Sequence, residues 1–361
     1  MKKLILACVL LTINVVLFAQ SRPKTQNLII ITLDGLRWQE IFTGADSSFI
    51  QNKNLVGNAA ACSKKYWNSH LEKRRSMLMP FLWETVATHG QIYGNRNKGC
   101  KESVKNPYWF SYPGYNEIFT GFADEKVNSN EYGPNPNVSV LEAMNQAPEF
   151  KGKIAAFTSW DAFNDILNER RSGLLVNAGV EKQVGMENDA VMQSMNELQY
   201  QLPDIFEGVR LDGVTFNMGF EYLKAKKPRV LYLGFDETDD FAHGSRYMDY
   251  LNSAHYEDDM IRMIWEWVQS NPQYKDKTTI FITCDHGRGV DAEGWKSHGS
   301  KTAHSNETWF AVMGPDTPAL GEITDGEYYH NQFAKTFAAL LGFDFKTTNP
   351  VGNPINRVMG K

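Results

Sequence analysis

Acidic and imidazole side chains come directly or shortly after three apolar runs of the chain. Asp34 follows "NLIIITL", and Asp285 with His286 follows "TTIFITC". Asp239 and His243, four residues apart, come shortly after "RVLYLGF". Mixed carboxylate and imidazole ligands suit zinc, manganese or iron, whereas calcium and magnesium prefer oxygen ligands alone. These residues suffice for two divalent metal ions, and zinc is the ion that we expect first.

Each of these groups also has an ordinary structural explanation when it is taken alone. Asp34 could cap the helix that follows it. The pair Asp285 and His286 could be a satisfied strand end, and Asp239 and His243 could be solvated loop residues. Three such groups at one edge of a sheet are an improbable coincidence, so their joint placement favours a metal site.

The elements that carry these residues alternate along the chain. Apolar runs typical of strands covered on both faces occupy residues 27–33, 153–159, 229–235, 278–284 and 308–314. Helical spacing of apolar residues recurs between them, at residues 79–90, 246–270 and 327–343. We therefore expect an α/β fold, a doubly wound and mainly parallel sheet with helices on both faces. Ligands of such sheets bind beyond the carboxyl ends of the strands, where the polar groups would meet.

Two stretches depart from this alternation. Residues 164–227 are rich in Asn, Glu, Gln and Met and poor in strand signals, which predicts a helical insertion or cap. Residues 43–73 are polar and show no clear period, so we expect an irregular loop there. With these exceptions, residues 20–361 are predicted to form a single domain.

The amino terminus has the pattern of a secretory signal peptide. Two lysines precede a long apolar run that ends at Ala19, so cleavage is expected near Gln20, with residues 1–19 removed. An uncleaved anchor is the alternative, but the run is short for a membrane span of about 20 residues. We expect an exported protein, periplasmic or extracellular, without a stable membrane span after cleavage.

The overall composition limits the classes of partner. The chain of 361 residues is 42% hydrophobic and has a formal net charge of -5, which suits a globular protein with a sizeable core. No basic excess is available to neutralise a nucleic-acid backbone, so binding of nucleic-acid polymers is not expected. An anionic small-molecule substrate would need local positive charge, which metal ions would supply.

Three cysteines remain after the predicted cleavage. Cys62 and Cys100 are the pair that could form a disulfide in an oxidising compartment. Cys284 lies inside an apolar run, where a small buried side chain is the expected role.

A serine, Ser111, stands among aromatic residues in "NPYWFSYPGYNEIFTG". Together with the strand that ends at Asp34, this segment resembles the alkaline phosphatase superfamily, in particular its type I phosphodiesterase and nucleotide pyrophosphatase branch. The segment "SYPGYNEIFTG" aligns without a gap with the T-F-P-N-H pattern of that branch and its later Thr-Gly. The resemblance covers most of the chain, from "LIIITLDGLRW" to "WFAVMGP", and implies an alkaline phosphatase-like core with Ser111 as the nucleophile.

The resemblance implies two metal sites. The first would be held by Asp34, Ser111, Asp285 and His286. The second would be held by Asp239, His243 and a late histidine. His298 is preferred for that last ligand because its spacing is similar to the diesterase branch, and His304 is the alternative from the mutase branch. Asp236 and Asp240 are the alternatives to Asp239.

Further residues are expected to contact the substrate. The resemblance implies a phosphate-binding asparagine about twenty residues after the nucleophile; we take Asn130, with Asn128 and later asparagines as alternatives. Arg37 and Arg288 lie close in sequence to proposed ligands and could contact the substrate anion, although solvation at the surface is the expected state of either.

These features predict a secreted two-metal phosphoesterase that hydrolyses a phosphomonoester or phosphodiester through a phosphoserine intermediate. Coordination to a divalent cation would make the Ser111 hydroxyl a usable nucleophile. Sulfatases are an alternative with the same core, but their Cys/Ser-x-Pro-x-Arg sequence is not matched, since Tyr115 stands in place of the arginine. A phosphoglycerate mutase-like phosphotransferase is a second alternative, and a non-catalytic binding protein on the same core is a third.

Overall fold

A central sheet of eight strands organises the chain, with a small sheet of three strands beside it. The computed structural model describes residues 23–183 and 185–361, so the predicted signal peptide lies outside the described residues. The strands are β1 (Asn27–Leu33), β2 (Gln91–Tyr93), β3 (Lys101–Ser103), β4 (Ile154–Thr158), β5 (Leu175–Ala178), β6 (Val230–Phe235), β7 (Thr278–Thr283), β8 (Glu307–Thr308), β9 (Phe310–Met313), β10 (Gly321–Glu322) and β11 (Glu327–Tyr329). The order in the large sheet is β10-β2-β9-β7-β1-β6-β4-β5, and in the small sheet β11-β3-β8.

Helices cover both faces of the large sheet. They are α1 (Trp38–Thr43), α2 (Ser47–Ile50), α3 (Ala59–Tyr66), α4 (Leu71–Leu78), α5 (Ala87–His89), α6 (Ser111–Thr120), α7 (Val140–Gln146), α8 (Phe163–Ile166), α9 (Glu169–Ser172), α10 (Ala190–Leu198), α11 (Asp212–Lys226), α12 (Glu237–His243), α13 (Tyr247–Ser270) and α14 (Phe333–Leu340). A π-helical turn, Leu82–Val86, precedes α5.

The middle of the large sheet is parallel, as the continuous apolar runs predict. β1 pairs in parallel with β6 on one side and β7 on the other, and β4 extends the parallel set. Every residue of β1, β6 and β7 is buried, which explains why these strands are apolar throughout rather than alternating. β9 is the exception, since it runs antiparallel between β7 and β2. The expected α/β, mainly parallel, doubly wound fold is therefore confirmed.

Alternate side chains of β1 enter two separate cores. Ile29 and Ile31 pack in the core beneath α1, α4, α11 and α13. Leu28 and Ile30 point to the opposite face and pack in the core beneath α6, α7 and α14. Because successive side chains of a strand point to opposite faces of the sheet, this one short strand contributes to the cores on both faces.

The stretch 164–227 differs from the predicted helical insertion. It contains β5, which pairs in parallel with β4 and forms one edge of the large sheet. Only four residues make this strand, which is too short for its apolar pattern to stand out from the polar sequence around it. The later part of the stretch is helical, as expected, and consists of α10 and α11.

Residues 43–73 also differ from the expected irregular loop. They contain α2, α3 and the beginning of α4. Asp46 and Asn58 cap the first two of these helices by accepting backbone N–H groups. The helices are four to eight residues long and mostly polar, so they show little hydrophobic periodicity.

The expected disulfide between Cys62 and Cys100 is wrong, because all three described cysteines are free and buried. Cys62 belongs to the core on one face of the large sheet and Cys100 to the core on the other. The sheet separates the two thiols, which sequence spacing alone does not reveal. Among the described residues, no helix is long and apolar enough to cross a membrane.

Candidate metal centre and nucleophile

The carboxyl ends of the three central strands meet at one edge of the large sheet. Asp34 follows β1, Asp285 and His286 follow β7, and α12 follows β6 after a single residue. Ligand atoms of Asp34, Asp285 and His286 all lie within 4.8 Å of one another. The strand pairing brings these residues together although about 250 positions separate Asp34 from the other two.

His286 is the centre of this first cluster. Its Nε2 atom lies 3.4 Å from Asp34 Oδ1 and 3.4 Å from Asp285 Oδ2. Its Nδ1 atom lies 3.0 Å from the carbonyl oxygen of Gly287, to which it donates. Because that bond uses Nδ1, the neutral imidazole presents the lone pair of Nε2 to the cluster.

The carboxyl groups and the imidazole of this cluster perturb one another's pKa. Burial, reinforced by Asp34, raises the pKa of Asp285 to about 8. Burial opposes the charge on His286, yet the carboxylates of Asp285 and Asp34 raise its pKa to about 9. Asp34 Oδ1 and Asp285 Oδ2 are buried and receive no hydrogen bond from the described residues. Two buried oxygens without hydrogen-bond donors, beside an imidazole nitrogen that a bound cation would deprotonate, are a donor set suited to a divalent cation.

A second cluster lies beside the first and is built on α12. His243 Nε2 lies 3.0 Å from Asp239 Oδ2, which is the contact expected at a spacing of four in a helix. The same nitrogen lies 3.0 Å from Nε2 of His298. Asp239, His286 and His298 also bring ligand atoms within 4.8 Å of one another, so the two clusters adjoin.

His298, and not His304, is part of this arrangement. The His298 ring stacks on His286 with 3.9 Å between ring centroids, and burial together with His286 lowers its pKa well below the ordinary value. His304 is exposed, and its Nδ1 atom lies 3.1 Å from Glu307. The geometry therefore gathers the preferred late histidine, while its role as a ligand stays a prediction.

Asp236 and Asp240 lie next to the second cluster. Burial raises the pKa of Asp236 well above its ordinary range, with Asp34 the next cause. Burial and the neighbouring Asp239 raise the pKa of Asp240 to about 7. Neither carboxyl belongs to a described group of three ligand atoms within 4.8 Å, and His243 does not either; its place in the second cluster rests on its contacts with Asp239 and His298.

Ser111 begins α6 and faces the first cluster. Its side chain is buried, and its Oγ atom lies 3.2 Å from His286 Nε2. The preceding turn places Trp109 at φ 58°, a left-handed conformation that is uncommon for an aromatic residue. Asn130 accepts the backbone N–H of Tyr112 at 3.0 Å, which positions this asparagine at the same helix end.

Two glycines permit the close approach of these elements. A Cβ atom on Gly114 would lie 2.4 Å from the carbonyl oxygen of Asp285, so only glycine lets α6 pack against the end of β7. Gly35 has φ +58°, and a Cβ atom there would lie 2.6 Å from Asp239 Oδ1. Its N–H donates to Asp285 at 3.1 Å. These glycines set the distance between the nucleophile and the two clusters.

Tyr115 contacts the first cluster, which the sequence analysis did not predict. Its hydroxyl donates to Asp34 Oδ2 at 2.8 Å and is fully buried. Its place four residues after Ser111, on the same face of α6, is the signal that points to it. The bond occupies one oxygen of Asp34 and leaves the other for the cluster.

Arg37 and Arg288 are buried rather than solvated. Arg37 donates to Glu40 at 2.8 Å and to the carbonyl oxygen of Gly289 at 2.7 Å, so its guanidinium group is engaged by other residues of the chain. Arg288 contacts the carboxylate of Asp239 and donates to its carbonyl oxygen at 3.0 Å. Burial alone would raise the pKa of Asp239. The positive charge of Arg288, and to a lesser extent His243 and His298, outweighs burial and holds this pKa well below its usual range.

A family model described as Sulfatase matches residues 107–343, more than half of the chain. The matched range contains Ser111 and all the ligand candidates after it, but not Asp34. A comparison with curated protein sequences finds no match.

Several solved structures share the fold. The wild-type alkaline phosphatase PafA aligns with a TM-score of 0.60 at 11% identity, over 95% of this chain and 100% of that one. The phosphonate monoester hydrolase SpPMH from Silicibacter pomeroyi aligns at 0.59 and 13% identity, over 93% and 77% of the two chains. A 2-O GAG sulfatase aligns at 0.55 and 12% identity, over 94% and 75%. At these identities the likeness shows the fold alone, an alkaline phosphatase-like one.

Proposed function

Since the chain belongs to the sulfatase family, we propose that it is a metal-dependent hydrolase and, more narrowly, a phosphoesterase that uses Ser111 as its nucleophile. Its substrate would be a small phosphomonoester or phosphodiester, in keeping with the resemblance to the type I phosphodiesterase branch. The pattern of residues 1–19 supports action outside the cytosol.

The single observation that carries the proposal is the position of the Ser111 hydroxyl. Oγ lies 3.2 Å from His286 Nε2, and that nitrogen lies 3.4 Å from a carboxylate oxygen on either side. A buried serine hydroxyl beside an imidazole and two unpartnered carboxylate oxygens has no evident packing role. A cation bound by these carboxylates and the imidazole would also activate the serine hydroxyl as a nucleophile.

The described residues fit two divalent cations. Asp34, Asp285, His286 and Ser111 would hold the first, and the unpartnered oxygens of the two aspartates support this assignment. Asp239, His243 and His298 would hold the second, because His243 Nε2 lies 3.0 Å from both Asp239 Oδ2 and His298 Nε2. Mixed oxygen and nitrogen donors favour zinc, with manganese or iron as alternatives. Such ions, when bound, would lower the pKa of the serine hydroxyl and neutralise negative charge on the transferred group.

The residues of the chain then define the reaction. Ser111 Oγ attacks phosphorus, the ester oxygen leaves and takes up a proton, and the phosphoryl group becomes bonded to the serine. Water hydrolyses the phosphoserine in the second step and regenerates the hydroxyl. Asn130 uses its carbonyl oxygen to accept from Tyr112, so its Nδ2 group is left to donate to a phosphoryl oxygen. The amino-terminal end of α6 favours the same negative charge.

A sulfatase is the second candidate, supported by the family match and by sulfatases among the structural neighbours. Sulfatases resemble one another in a sequence that ends in arginine, and here Tyr115 occupies that position and bonds to Asp34. The two candidates also differ at the nucleophile, because formylglycine would replace the serine in a sulfatase. Peptide mass analysis distinguishes them, since an unmodified Ser111 excludes formylglycine chemistry.

Turnover by the metal-loaded protein and its Ser111→Ala variant tests the proposal. The substrates are p-nitrophenyl phosphate, its bis-ester and p-nitrophenyl sulfate. We expect hydrolysis of a phosphate ester by the wild type and a loss of about three orders of magnitude or more in the variant, with metal content unchanged. Retained turnover in the variant would remove Ser111 from the mechanism. A purified protein that binds no divalent ion would favour the non-catalytic binding protein.

A further inference from the structure

A second acidic site lies outside the metal centre, in a cleft between α10, α11 and α13. The cleft has a volume of about 450 Å³ and is lined on one side by Asp212, Glu237 and Glu257. Its other walls are apolar and include Met195, Leu198, Leu202 and Met260. The nucleophile and the ligand candidates described above do not line it.

Glu257 is the unusual member of this cleft. It is 1% exposed, and neither of its carboxylate oxygens receives a hydrogen bond from a described N–H or O–H group. Its polar neighbour is the carboxyl group of Asp212, and burial followed by that charge raises the pKa of Glu257 well above its ordinary range. Two carboxylates in contact must share either a proton or a cation.

The other two carboxylates already have partners. Asp212 accepts the backbone N–H groups of Asp236 and Glu237, at 2.9 and 3.0 Å, and so holds the start of α12. Glu237 accepts from the backbone of Asp212 at 3.0 Å and from Ser253 at 2.9 Å. Their positions are fixed by the fold, which leaves Glu257 as the carboxylate with unused acceptor capacity.

No basic side chain is among the described residues that line the cleft. A nearby cation, the Lys65 ammonium, lies over the ring of Tyr256 at the rim and donates to Asn252 at 2.7 Å. The walls therefore offer no positive charge to compensate an ionised Glu257, in keeping with its raised pKa. Burying an unpaired carboxylate is expensive, so the cleft is suited to a ligand that brings positive charge.

The spacing of the carboxylates favours an organic cation over a metal ion. Described groups of three ligand atoms within 4.8 Å occur only at the metal centre, so Asp212, Glu237 and Glu257 are too far apart to surround a small ion. An ammonium group makes longer contacts, about 2.8 Å to each oxygen, and tolerates wider spacing. The apolar walls would cover an alkyl chain attached to the nitrogen.

We propose that this cleft binds an organic ammonium ion with an apolar body, held by Glu257 together with Asp212 and Glu237. The site is separate from the proposed hydrolysis and does not depend on it. Its nearest link to that chemistry is α12, whose first residue is Glu237 and whose start is held by Asp212.

Isothermal calorimetry with n-hexylamine tests the proposal, with 1-hexanol as the neutral match. The amine is almost fully protonated at pH 7.5. We expect saturable binding of hexylammonium to the wild-type chain, no comparable binding of hexanol, and binding at least about tenfold weaker in Glu257→Gln. Glu266→Gln is the matched control, because this glutamate lies on the same helix but is exposed and pairs with Arg262. It should bind as the wild type does.

A second variant places a positively charged side chain inside the cleft. Met260 lies three residues after Glu257 on α13, so Met260→Lys would bring an ammonium group to the same carboxylate and abolish hexylammonium binding. Absence of saturable binding to the wild type would mean that Glu257 and Asp212 merely share a proton, and would overturn the proposal. Equal binding of hexanol would overturn it too. So would displacement of the amine by stoichiometric calcium or magnesium, which would identify a metal site.

Discussion

His286 connects the nucleophile to the metal-ligand candidates. One imidazole nitrogen is fixed by the Gly287 carbonyl group, and the other lies 3.2 to 3.4 Å from Ser111, Asp34 and Asp285. The ring also stacks on His298, which belongs to the second cluster. His286 therefore lies beside the ligand candidates of both proposed cations. Its hydrogen bond to the Gly287 carbonyl group fixes the orientation of the ring.

The late histidine can be identified by comparing two alanine variants. His298→Ala should remove about one of two bound zinc ions and reduce phosphoesterase turnover by roughly tenfold or more, because its imidazole converges with Asp239 and His243. His304→Ala should leave both unchanged, since that ring is exposed and pairs with Glu307. Metal analysis of the purified variants is the measurement. Loss of metal in the His304 variant alone would reverse the assignment.

At the scale of the element, α6 must approach the end of β7 closely for Ser111, the proposed nucleophile, to reach the cluster. Gly114 makes the approach possible, and the buried hydroxyl of Tyr115 secures it on the Asp34 side. Through Gly114 the helix contacts Asp285, one of the proposed metal ligands. Its position is thus coupled to the geometry of the centre.

Gly114→Ala tests this coupling. The new methyl group would meet the Asp285 carbonyl oxygen, so we expect a loss of about 1–3 kcal/mol in the free energy of unfolding and a marked fall in turnover. Gly213→Ala in α11 is the matched control, because a Cβ atom there meets nothing within 4 Å. It should be neutral or stabilising by less than about 1 kcal/mol. Urea unfolding measures both, and equal stability of the two variants would contradict the packing argument.

The long buried elements were predictable from sequence, and most of the short ones were not. β1, β6 and β7 are six or seven residues long and apolar throughout, so their runs and the acidic residues after them could be located. Among the shorter strands, the four-residue β9 was located within the run 308–314, but β5, also four residues long, lies in a polar stretch and carries too little pattern to be recognised. The same holds for contacts made across the sheet. No local sequence signal predicts the hydrogen bond from Tyr115 to Asp34 or the buried contact of Arg288 with Asp239.

For the whole molecule, the candidate metal centre is a source of pH dependence. The folded state raises the pKa of Asp285 to about 8 and of His286 to about 9, from ordinary values of 3.8 and 6.5. Burial and Asp34 cause the first shift, and the carboxylates overcome burial in the second. Without metal, the folded chain therefore holds more protons than the unfolded chain between about pH 4 and 9. The free energy of unfolding falls with rising pH wherever this is so.

Thermal unfolding at pH 6 and pH 8 tests this sign. The chelator-treated protein should melt at a lower temperature at pH 8 than at pH 6, because both groups contribute stability that is lost as they release protons. Added zinc should raise the melting temperature more at pH 8, since cation binding requires the deprotonated ligands. A chelated protein that is more stable at pH 8, or a zinc effect that is larger at pH 6, would contradict the account.

Acid-quenched turnover offers the most direct measurement of the central claim, that Ser111 receives the group that is transferred. Metal-loaded protein is mixed with excess phosphate ester, quenched in acid within the turnover time, digested and examined by mass spectrometry. The account predicts a phosphoryl group on Ser111 in a fraction of the molecules and none in the Ser111→Ala variant. Turnover with the phosphoryl group on a residue other than Ser111, or with Ser111 converted to formylglycine, would contradict the account.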